Sequence, residues 1–262
     1  MRKSHATMLA GLAIALCPGW VATVHGAWTA VENFEDGAWD NHTLRGAAVS
    51  VVSESGNQVG KWSVTGNNQG VDIDIPDIVD GTTGTIFYRV KWSRGPNMNK
   101  AAINNSQAWV TRSTWESGRY DRIMDASAWQ TITTPGFTTG QIADNTWYTY
   151  WMVIDHTADT WSLYGQKEGT NSPTLLSYSG DSTFALAYGT TTPAQQFRLM
   201  NTGGGGTYDA WVDDLYVDIA GANLGDPTAV AEEDIPEPAT MALLGLGAAG
   251  LGGYFRRRVR TA

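Results

Sequence analysis

The sequence predicts an all-β protein, folded as a two-sheet antiparallel jelly-roll sandwich over residues 27–220. Short alternating or β-branched segments recur there between clusters of Gly, Asn, Asp and Pro, and no segment shows the apolar periodicity of an amphipathic helix. The 262-residue chain contains 30 glycines and 12 tryptophans but only 16% charged residues, a composition that excludes a coiled coil and a disordered acidic chain. About ten short strands at this spacing are typical of a sandwich or jelly roll.

The strongest strand signal is a hairpin in the second half of the domain. Its two segments, Trp147–Asp155 and Trp161–Gln166, are separated by a short turn. Because the first segment is apolar on both faces, we expect the hairpin inside a sheet rather than at its edge. The other predicted strands are Ala48–Ser53, Val59–Thr65, Val71–Ile75, Thr85–Trp92, Ala108–Arg112, Trp129–Thr133, Gln196–Met200 and Tyr208–Ile219.

The N-terminal segment, residues 1–26, is typical of a secretory signal peptide. A basic start precedes an apolar run that ends at Cys17, and the small residues Gly26 and Ala27 follow. The run is shorter than the roughly 20 residues of a membrane-spanning helix. We therefore expect export through the Sec translocon and a cleaved N-terminal signal helix. Cys17 is the single cysteine, so disulfide scaffolds and cysteine-ligated metal sites are excluded.

The C-terminal segment, residues 236–262, has three parts. Pro236, Glu237 and Pro238 come first, and an uncharged stretch rich in Leu, Gly and Ala follows. That stretch has about 17 residues, near the lower limit for a transmembrane helix, and we expect the basic residues after it to stay on the cytoplasmic side. These basic residues are Arg256, Arg257, Arg258 and Arg260.

This three-part segment resembles a PEP-CTERM sorting signal. The resemblance implies recognition by an exosortase in the inner membrane of a Gram-negative bacterium and cleavage near residues 236–238. It also implies that the protein is anchored in the inner membrane transiently and then reaches the cell surface or the extracellular space, often beside exopolysaccharide production. An ordinary tail-anchored protein is the alternative. The small, acidic residues 221–235 are predicted to be a linker.

Three further segments resemble the strands of concanavalin A-like (laminin-G-like) lectin and glucanase domains. They are Val31–Gly37, Trp147–Gly165 and Ala210–Asp218. The resemblance implies a jelly roll of that type over residues 27–220 and a carbohydrate-related function.

No cofactor is required by the sequence, but a structural calcium ion is one interpretation of its acidic residues. Related jelly rolls often hold calcium between their first and last strands, which here would bring Glu35 or Asp36 towards Asp213. By strand alternation Asp213 shares a face with Trp211 and Leu215, where an ionised carboxylate needs a partner. An arginine partner or a strand end open to water are the alternatives.

Charge and aromatic content favour a glycan as partner. Residues 27–237 contain 11 basic and all 26 acidic residues, a net charge of −15, so nucleic acid would be repelled and a neutral or cation-bridged polysaccharide is favoured. Sugar rings stack on exposed aromatic faces. The candidate glycan-binding residues lie in weakly patterned, polar segments, and core packing is the alternative for each. They are Trp109, Trp115, Tyr120 and Trp129.

The sequence predicts no catalytic residues, and a non-enzymatic surface protein that binds or organises exopolysaccharide is the leading interpretation. Neither a His-Glu-x-x-His nor a Gly-x-Ser-x-Gly motif occurs.

A glycan-cleaving enzyme, a glycoside hydrolase or a polysaccharide lyase, is the alternative. Asp72 and Asp74 share a strand face like the catalytic acids of the glucanase branch, but the third acid is Asp77 and the Glu-x-Asp-x-x-Glu pattern is absent. Glu116, flanked by aromatics, is another carboxylate, and a ligand-free structural matrix protein is the third interpretation.

Overall fold

The computed structural model describes residues 27–93, 97–187, 191–203 and 207–229. The predicted signal peptide at 1–26, the end of the predicted linker, and the sorting signal with its membrane helix at 236–262 lie outside these residues. Within the described ranges there is no α-helix, and hence none long and apolar enough to cross a membrane.

In the described ranges, sixteen strands form two antiparallel sheets. In chain order they are β1 (Thr29–Glu32), β2 (His42–Arg45), β3 (Ala48–Glu54), β4 (Asn57–Val64), β5 (Gln69–Ile78), β6 (Thr83–Trp92), β7 (Met98–Ile103), β8 (Ser113–Glu116), β9 (Tyr120–Asp125), β10 (Ala128–Thr131), β11 (Tyr148–Asp155), β12 (Thr160–Lys167), β13 (Thr174–Leu175), β14 (Phe184–Ala185), β15 (Ala194–Asn201) and β16 (Tyr208–Asp218). Sheet 1 has the order β13-β12-β11-β6-β16-β4-β3, with β1 on β16 and β14 on β12. Sheet 2 has the order β10-β9-β8-β7-β15-β5-β2.

This arrangement confirms the predicted all-β, two-sheet jelly-roll sandwich. The chain crosses repeatedly between the sheets, and the apolar side chains of both inner faces form one core. The Tyr88 and Tyr150 rings of sheet 1 stack 5.5 Å apart, and Phe197 of sheet 2 packs 4.5 Å from Tyr88. The predicted hairpin is internal, because β11 pairs with both β6 and β12.

Sheet 2 contains four strands that the sequence did not predict, the edge strand β2 and the three successive strands β7, β8 and β9. The middle of β7 is Lys100, which is fully buried and forms an ion pair of 2.8 Å between its Nζ and Asp121 Oδ1. The hydroxyl of Tyr150 donates to Asp121 Oδ2 at 2.6 Å. Burial lowers the pKa of Lys100 to about 8, although Asp121 opposes the shift. Lys100 and Asp121 interrupt the apolar pattern by which a buried strand is recognised in a sequence. Each is buried because the other, which is distant in the sequence, neutralises its charge.

Another difference concerns residues 108–112, which were predicted as a strand. In the structure only Trp109 makes a bridge there, with Ile103. This segment returns from β7 to β8, and the backbone N–H groups of Val110 and Thr111 both donate to the carbonyl of Ala102. One carbonyl shared by two successive N–H groups is incompatible with a regular ladder.

Strand β16 contains a bulge that corrects the predicted orientation of Asp213. Its register against β6 shifts between Asp213 and Tyr216, and Asp214 has a left-handed φ of 54°. Val212 before the bulge and Leu215 after it both face the core. Because the extra residue reverses the alternation, Asp213 lies on the outer face of sheet 1, not with Leu215 as predicted.

Residues 219–229, the C-terminal strap, pack on the outer face of sheet 1. Trp151 Nε1 donates to the carbonyl of Gly225 at 3.0 Å, and Thr85 Oγ1 donates to the carbonyl of Gly221 at 2.9 Å. The Asn223 backbone N–H donates to the same Thr85 hydroxyl at 3.0 Å. The first part of the predicted linker is therefore part of the folded domain.

Candidate functional site

The outer face of sheet 2 carries alternating arginine and tryptophan side chains, which we call the Arg–Trp row. The guanidinium of Arg112 lies 4.3 Å from the ring centroid of Trp109 and 4.9 Å from that of Trp129. Arg198 lies 5.0 Å from Trp109, and Arg122 lies 5.4 Å from Trp129. Each such contact contributes roughly 0.5–2 kcal/mol, depending on solvent exposure. The row is therefore held in place by contacts between its own members.

Strand pairing explains why these residues meet. Trp129 of β10 pairs with Met124 of β9, and paired residues share a face of the sheet. Arg122 lies two residues before Met124 on β9, so it shares that face as well. Arg112 lies directly before β8, and its Nε donates to Asn99 Oδ1 at 3.3 Å. Trp109 comes from the turn after β7. The row thus joins segments that lie far apart in the sequence.

A polar pocket of about 410 Å³ continues the row towards β2 and β5. Arg198 donates to both carboxylate oxygens of Asp72, at 2.6 and 2.7 Å, and Arg45 Nε donates to Asp72 Oδ2 at 2.8 Å. Gln107 Oε1 accepts a hydrogen bond from each of the two arginines. Two cations thus share one buried carboxylate, and Asp74 lies two residues further along the same face, where it accepts from the pocket-lining Gln196. The neutral polar residues of the pocket lining are Thr43, Asn68, Gln107 and Gln196.

The structure places three of the four predicted glycan-binding residues on this face. Trp109 and Trp129 are half-buried and lie on either side of Arg112. Tyr120 is half-buried as well, and alternation along β9 puts it on the same face as Arg122.

The fourth predicted residue, Trp115, does not lie on this face. Its side chain points into the core with 1% exposure, and its Nε1 donates to the Tyr150 hydroxyl at 2.7 Å. The prediction that Trp115 presents a ring to a glycan is therefore wrong. The reason is strand parity, since Thr114 and Glu116 take the outward positions of β8.

The carboxylates considered for catalysis lie on the same face, each beside a donor. Asp72 and Asp74 share the outer face of β5, as predicted, but Asp72 is 1% exposed and pairs with two arginines. Asp74 accepts a hydrogen bond from Gln196 at 2.7 Å. Glu116 accepts from Arg122 Nη1 at 3.2 Å. The paired carboxylates Asp72 and Glu116 hold arginines in position.

A second pocket, of about 590 Å³, lies on the outer face of sheet 1 around Asp213. Arg89 Nη1 lies 3.2 Å from Asp213 Oδ2 and 2.8 Å from Asp214 Oδ2, and Asn57 Nδ2 donates to Asp213 at 2.7 Å. Burial raises the pKa of Asp213 to about 7, and the charge of Asp214 adds to this effect. Arg89 and Asn57 lower the pKa in part.

The predicted calcium ligands do not come together in this structure. Asp36 Oδ1 accepts from the backbone N–H of Ala38 at 3.0 Å, and Glu35 and Asp36 are exposed in the turn after β1. Asp213 contacts Arg89, which is the arginine partner named above as an alternative. In the described part of the chain, no three His, Asp or Glu side chains are grouped so that they are able to hold a metal ion.

The C-terminal segment matches a known family model. Residues 234–258 match the PEP-CTERM protein-sorting motif, which includes the predicted Pro236–Pro238 triplet and Arg256–Arg258. The sorting signal predicted from the sequence is thereby confirmed. The motif implies an exported protein with a C-terminal anchor that an exosortase processes. A comparison with curated protein sequences finds no match.

Several solved structures are similar to the sandwich. A sialidase superposes with a TM-score of 0.51 and 8% identity, covering 73% of this chain and 18% of its own. A GH131 β-glucanase catalytic domain from Podospora anserina gives 0.45 and 13%, covering 75% and 98% of the two chains. Lectin I-B4 from Griffonia simplicifolia gives 0.44 and 9%, covering 73% and 98%. At such low identity the likeness concerns the fold alone, and the match spans only a small part of the sialidase chain.

Proposed function

We propose that this exported protein is a non-enzymatic surface protein that binds polysaccharide through the outer face of sheet 2. The observation that carries the proposal is the Arg–Trp row, in which Trp109 and Trp129 are held half-buried beside Arg112. The faces of both indole rings contact guanidinium groups, so it is the remaining exposed part of each half-buried indole that offers an apolar surface to the C–H groups of a sugar. The guanidinium groups offer hydrogen-bond donors to the sugar hydroxyls. The row combines both kinds of group along one line.

The fixed geometry of the row favours affinity for a polymer. Side chains that are already ordered lose little conformational freedom when a ligand binds. The row and the pocket at Asp72 form a continuous band from β10 to β2 across sheet 2. A band of this kind suits several successive sugar units of a chain rather than a single small molecule.

Binding rather than cleavage is supported by the state of the carboxylates. A glycosidase needs two carboxyl groups about 5–9 Å apart across the scissile bond, one of them acting as a proton donor. Asp72 forms ion pairs with two arginines and Glu116 with one, so both carboxylates are engaged by arginine donors rather than facing each other across an open cleft. We therefore expect the protein to release no reducing ends from a bound polysaccharide. If a low level of release is measured, it should be the same in a variant with both Asp72→Asn and Glu116→Gln, because these carboxylates are not catalytic in this proposal.

The experiment is affinity electrophoresis of the full-length protein in gels that contain neutral polysaccharides: xylan, mixed-linkage β-glucan, laminarin or galactan. We expect Trp109→Ala and Trp129→Ala each to weaken retardation in the gel that binds the wild-type protein by about tenfold, which is roughly 1.4 kcal/mol. Tyr164→Ala is the matched control, since Tyr164 is half-buried on the outer face of the other sheet. Equal retardation of wild type and both tryptophan variants would contradict the proposed site, and absence of binding to any glycan would favour a ligand-free matrix protein.

A further inference from the structure

We propose that the pocket on the outer face of sheet 1 is a second saccharide site, which lets one molecule bridge two polysaccharide chains. This inference rests on the proposed function, because it takes sheet 2 as the first site. The two sheets pack face to face, so their outer faces point in opposite directions. Two sites placed in this way reach different polymer chains more readily than two points on the same chain.

The pocket is built around Trp147. Trp147 is buried, with 9% exposure for the whole residue, and its Nε1 group donates to Glu54 Oε2 at 3.1 Å. Arg89 and Lys91 of β6 lie 5.2 and 5.1 Å from the Trp147 ring centroid, and Lys91 also forms an ion pair with Glu54. The volume of about 590 Å³ lies within the roughly 300–1,000 Å³ of small-ligand sites. The pocket thus has an indole, cations and carboxylates fixed against one another.

The pairing of charges inside the pocket selects the class of ligand. Arg89 is engaged by Asp213 and Asp214, and Lys91 is engaged by Glu54, so an anionic ligand would have to compete with an existing partner for either cation. Glu168 adds a fourth carboxyl group to the lining against these two cations, which disfavours an anionic ligand further. Ionised carboxylates nevertheless keep further lone pairs that accept hydrogen bonds. A sugar hydroxyl donates and accepts without bringing a charge. The ligand that fits is therefore a neutral, hydroxyl-rich saccharide.

The bulge in β16 gives independent support for a binding role. In a regular strand, Asp213 and Asp214 would point to opposite faces of the sheet. Here both carboxylates reach Arg89 on the outer face, and Asp214 takes a φ of 54°, which is uncommon for a residue other than glycine. Bulges commonly re-aim side chains next to functional sites. The backbone of β16 is thus shaped so that it supplies two acceptors to one pocket.

The test compares binding and bridging in the full-length protein, with the neutral polysaccharide that retards the wild type in electrophoresis. A variant with Glu54→Gln and Asp214→Asn changes the sheet 1 pocket, and Trp109→Ala changes the row. The matched control is Asp80→Asn, an exposed carboxylate in the turn between β5 and β6. Calorimetric titration with an oligosaccharide of that polymer gives the number of binding sites. Light scattering of protein–polysaccharide mixtures measures bridging between polysaccharide chains. Circular dichroism verifies that each variant is folded.

We expect the pocket variant to bind one oligosaccharide where the wild type binds two, and the excess scattering that cross-linked polysaccharide chains cause to disappear. It should still be retarded in the gel, and Asp80→Asn should behave as wild type. Unchanged stoichiometry and scattering in a folded pocket variant would overturn the bridging inference and leave the proposed function standing. Retardation lost in the pocket variant but kept in Trp109→Ala would overturn both, because the sheet 1 pocket would then be the principal site.

Discussion

Asp213 shows how the surroundings of one side chain determine its protonation. Its side chain has 1% exposure, and burial beside Asp214 raises its pKa from 3.8 to about 7, against the opposing effects of Arg89 and Asn57. A carboxyl group whose pKa is higher in the native state than in the unfolded chain favours folding when protonated. Its contribution to the free energy of unfolding is therefore complete below about pH 4 and is lost as the pH rises through about 7.

We expect the variant Asp213→Asn to gain stability relative to the wild type as the pH rises from 4.5 to 7.5. An asparagine cannot ionise, so the variant escapes the destabilisation that ionising a buried Asp213 imposes on the wild type. Urea unfolding at four pH values in this window gives the difference in free energy of unfolding. A flat or falling difference for Asp213→Asn would contradict the assigned shift.

The C-terminal strap shows how a segment without regular structure stabilises a sheet. It covers a buried aromatic cluster on the outer face of sheet 1, in which the Phe87 and Trp151 rings lie 5.2 Å apart. Asn223 organises the strap, because its Nδ2 donates to Asp218 Oδ2 at 2.8 Å and its Oδ1 accepts from Gly225 N–H at 2.9 Å. Both contacts depend on an amide side chain that donates and accepts at once.

We expect Asn223→Ala to lower the free energy of unfolding by about 1–3 kcal/mol, the range for leaving a buried polar group without its partner. Asp218 is buried, and it would lose the donor on its Oδ2. Chemical denaturation followed by tryptophan fluorescence measures this loss, since Trp151 lies under the strap. Asn105→Ala, at an exposed turn, is the control with an expected change near zero. Equal stability of the two variants would show that the strap does not stabilise the sheet.

On the scale of the whole molecule, the two proposed binding surfaces belong to the sandwich and the sorting motif lies after it in the chain. The Arg–Trp row and the Asp213 pocket lie on opposite outer faces, while the sorting motif begins five residues after the strap ends at Ala229. The net charge of −15 over residues 27–237 repels other copies of the exported chain and polyanions. A neutral polysaccharide, the proposed partner, is compatible with that negative charge.

Sorting makes a prediction about the C-terminal segment. We expect an epitope tag placed after Ala262 to be absent from protein recovered at the cell surface, because exosortase processing removes the segment that carries the sorting motif. Western blotting of surface and inner-membrane fractions measures this. The control is a chain with alanine at all three positions 236–238, which should keep the tag and stay in the membrane fraction. A tag retained on wild-type protein at the surface would contradict processing.

Local patterns in the sequence were sufficient to predict the two-sheet fold class and the sorting signal. Strands such as β11 and β12 are apolar, alternating and joined by a short turn, so neighbouring residues carry their signal. The sorting signal is likewise contiguous, with Pro236–Pro238 and the arginines in one short segment. Strands β7 to β9 were not predicted from local patterns. Lys100 and Asp121 are charged residues in the sequence, and they are compatible with a core only when they pair with each other.

The sequence by itself determined an exported, all-β sandwich with a C-terminal sorting signal, since composition, periodicity and motif order are properties of neighbouring residues. Only the tertiary structure decided which face each candidate side chain takes. It put Trp109 and Trp129 on either side of Arg112, turned Trp115 into the core and brought Asp213 to Arg89. A shift of one residue in the pairing register of a strand moves every core-facing side chain to the outer face and every outer side chain to the core. That register is set by bulges and by pairing strands that are distant in the chain.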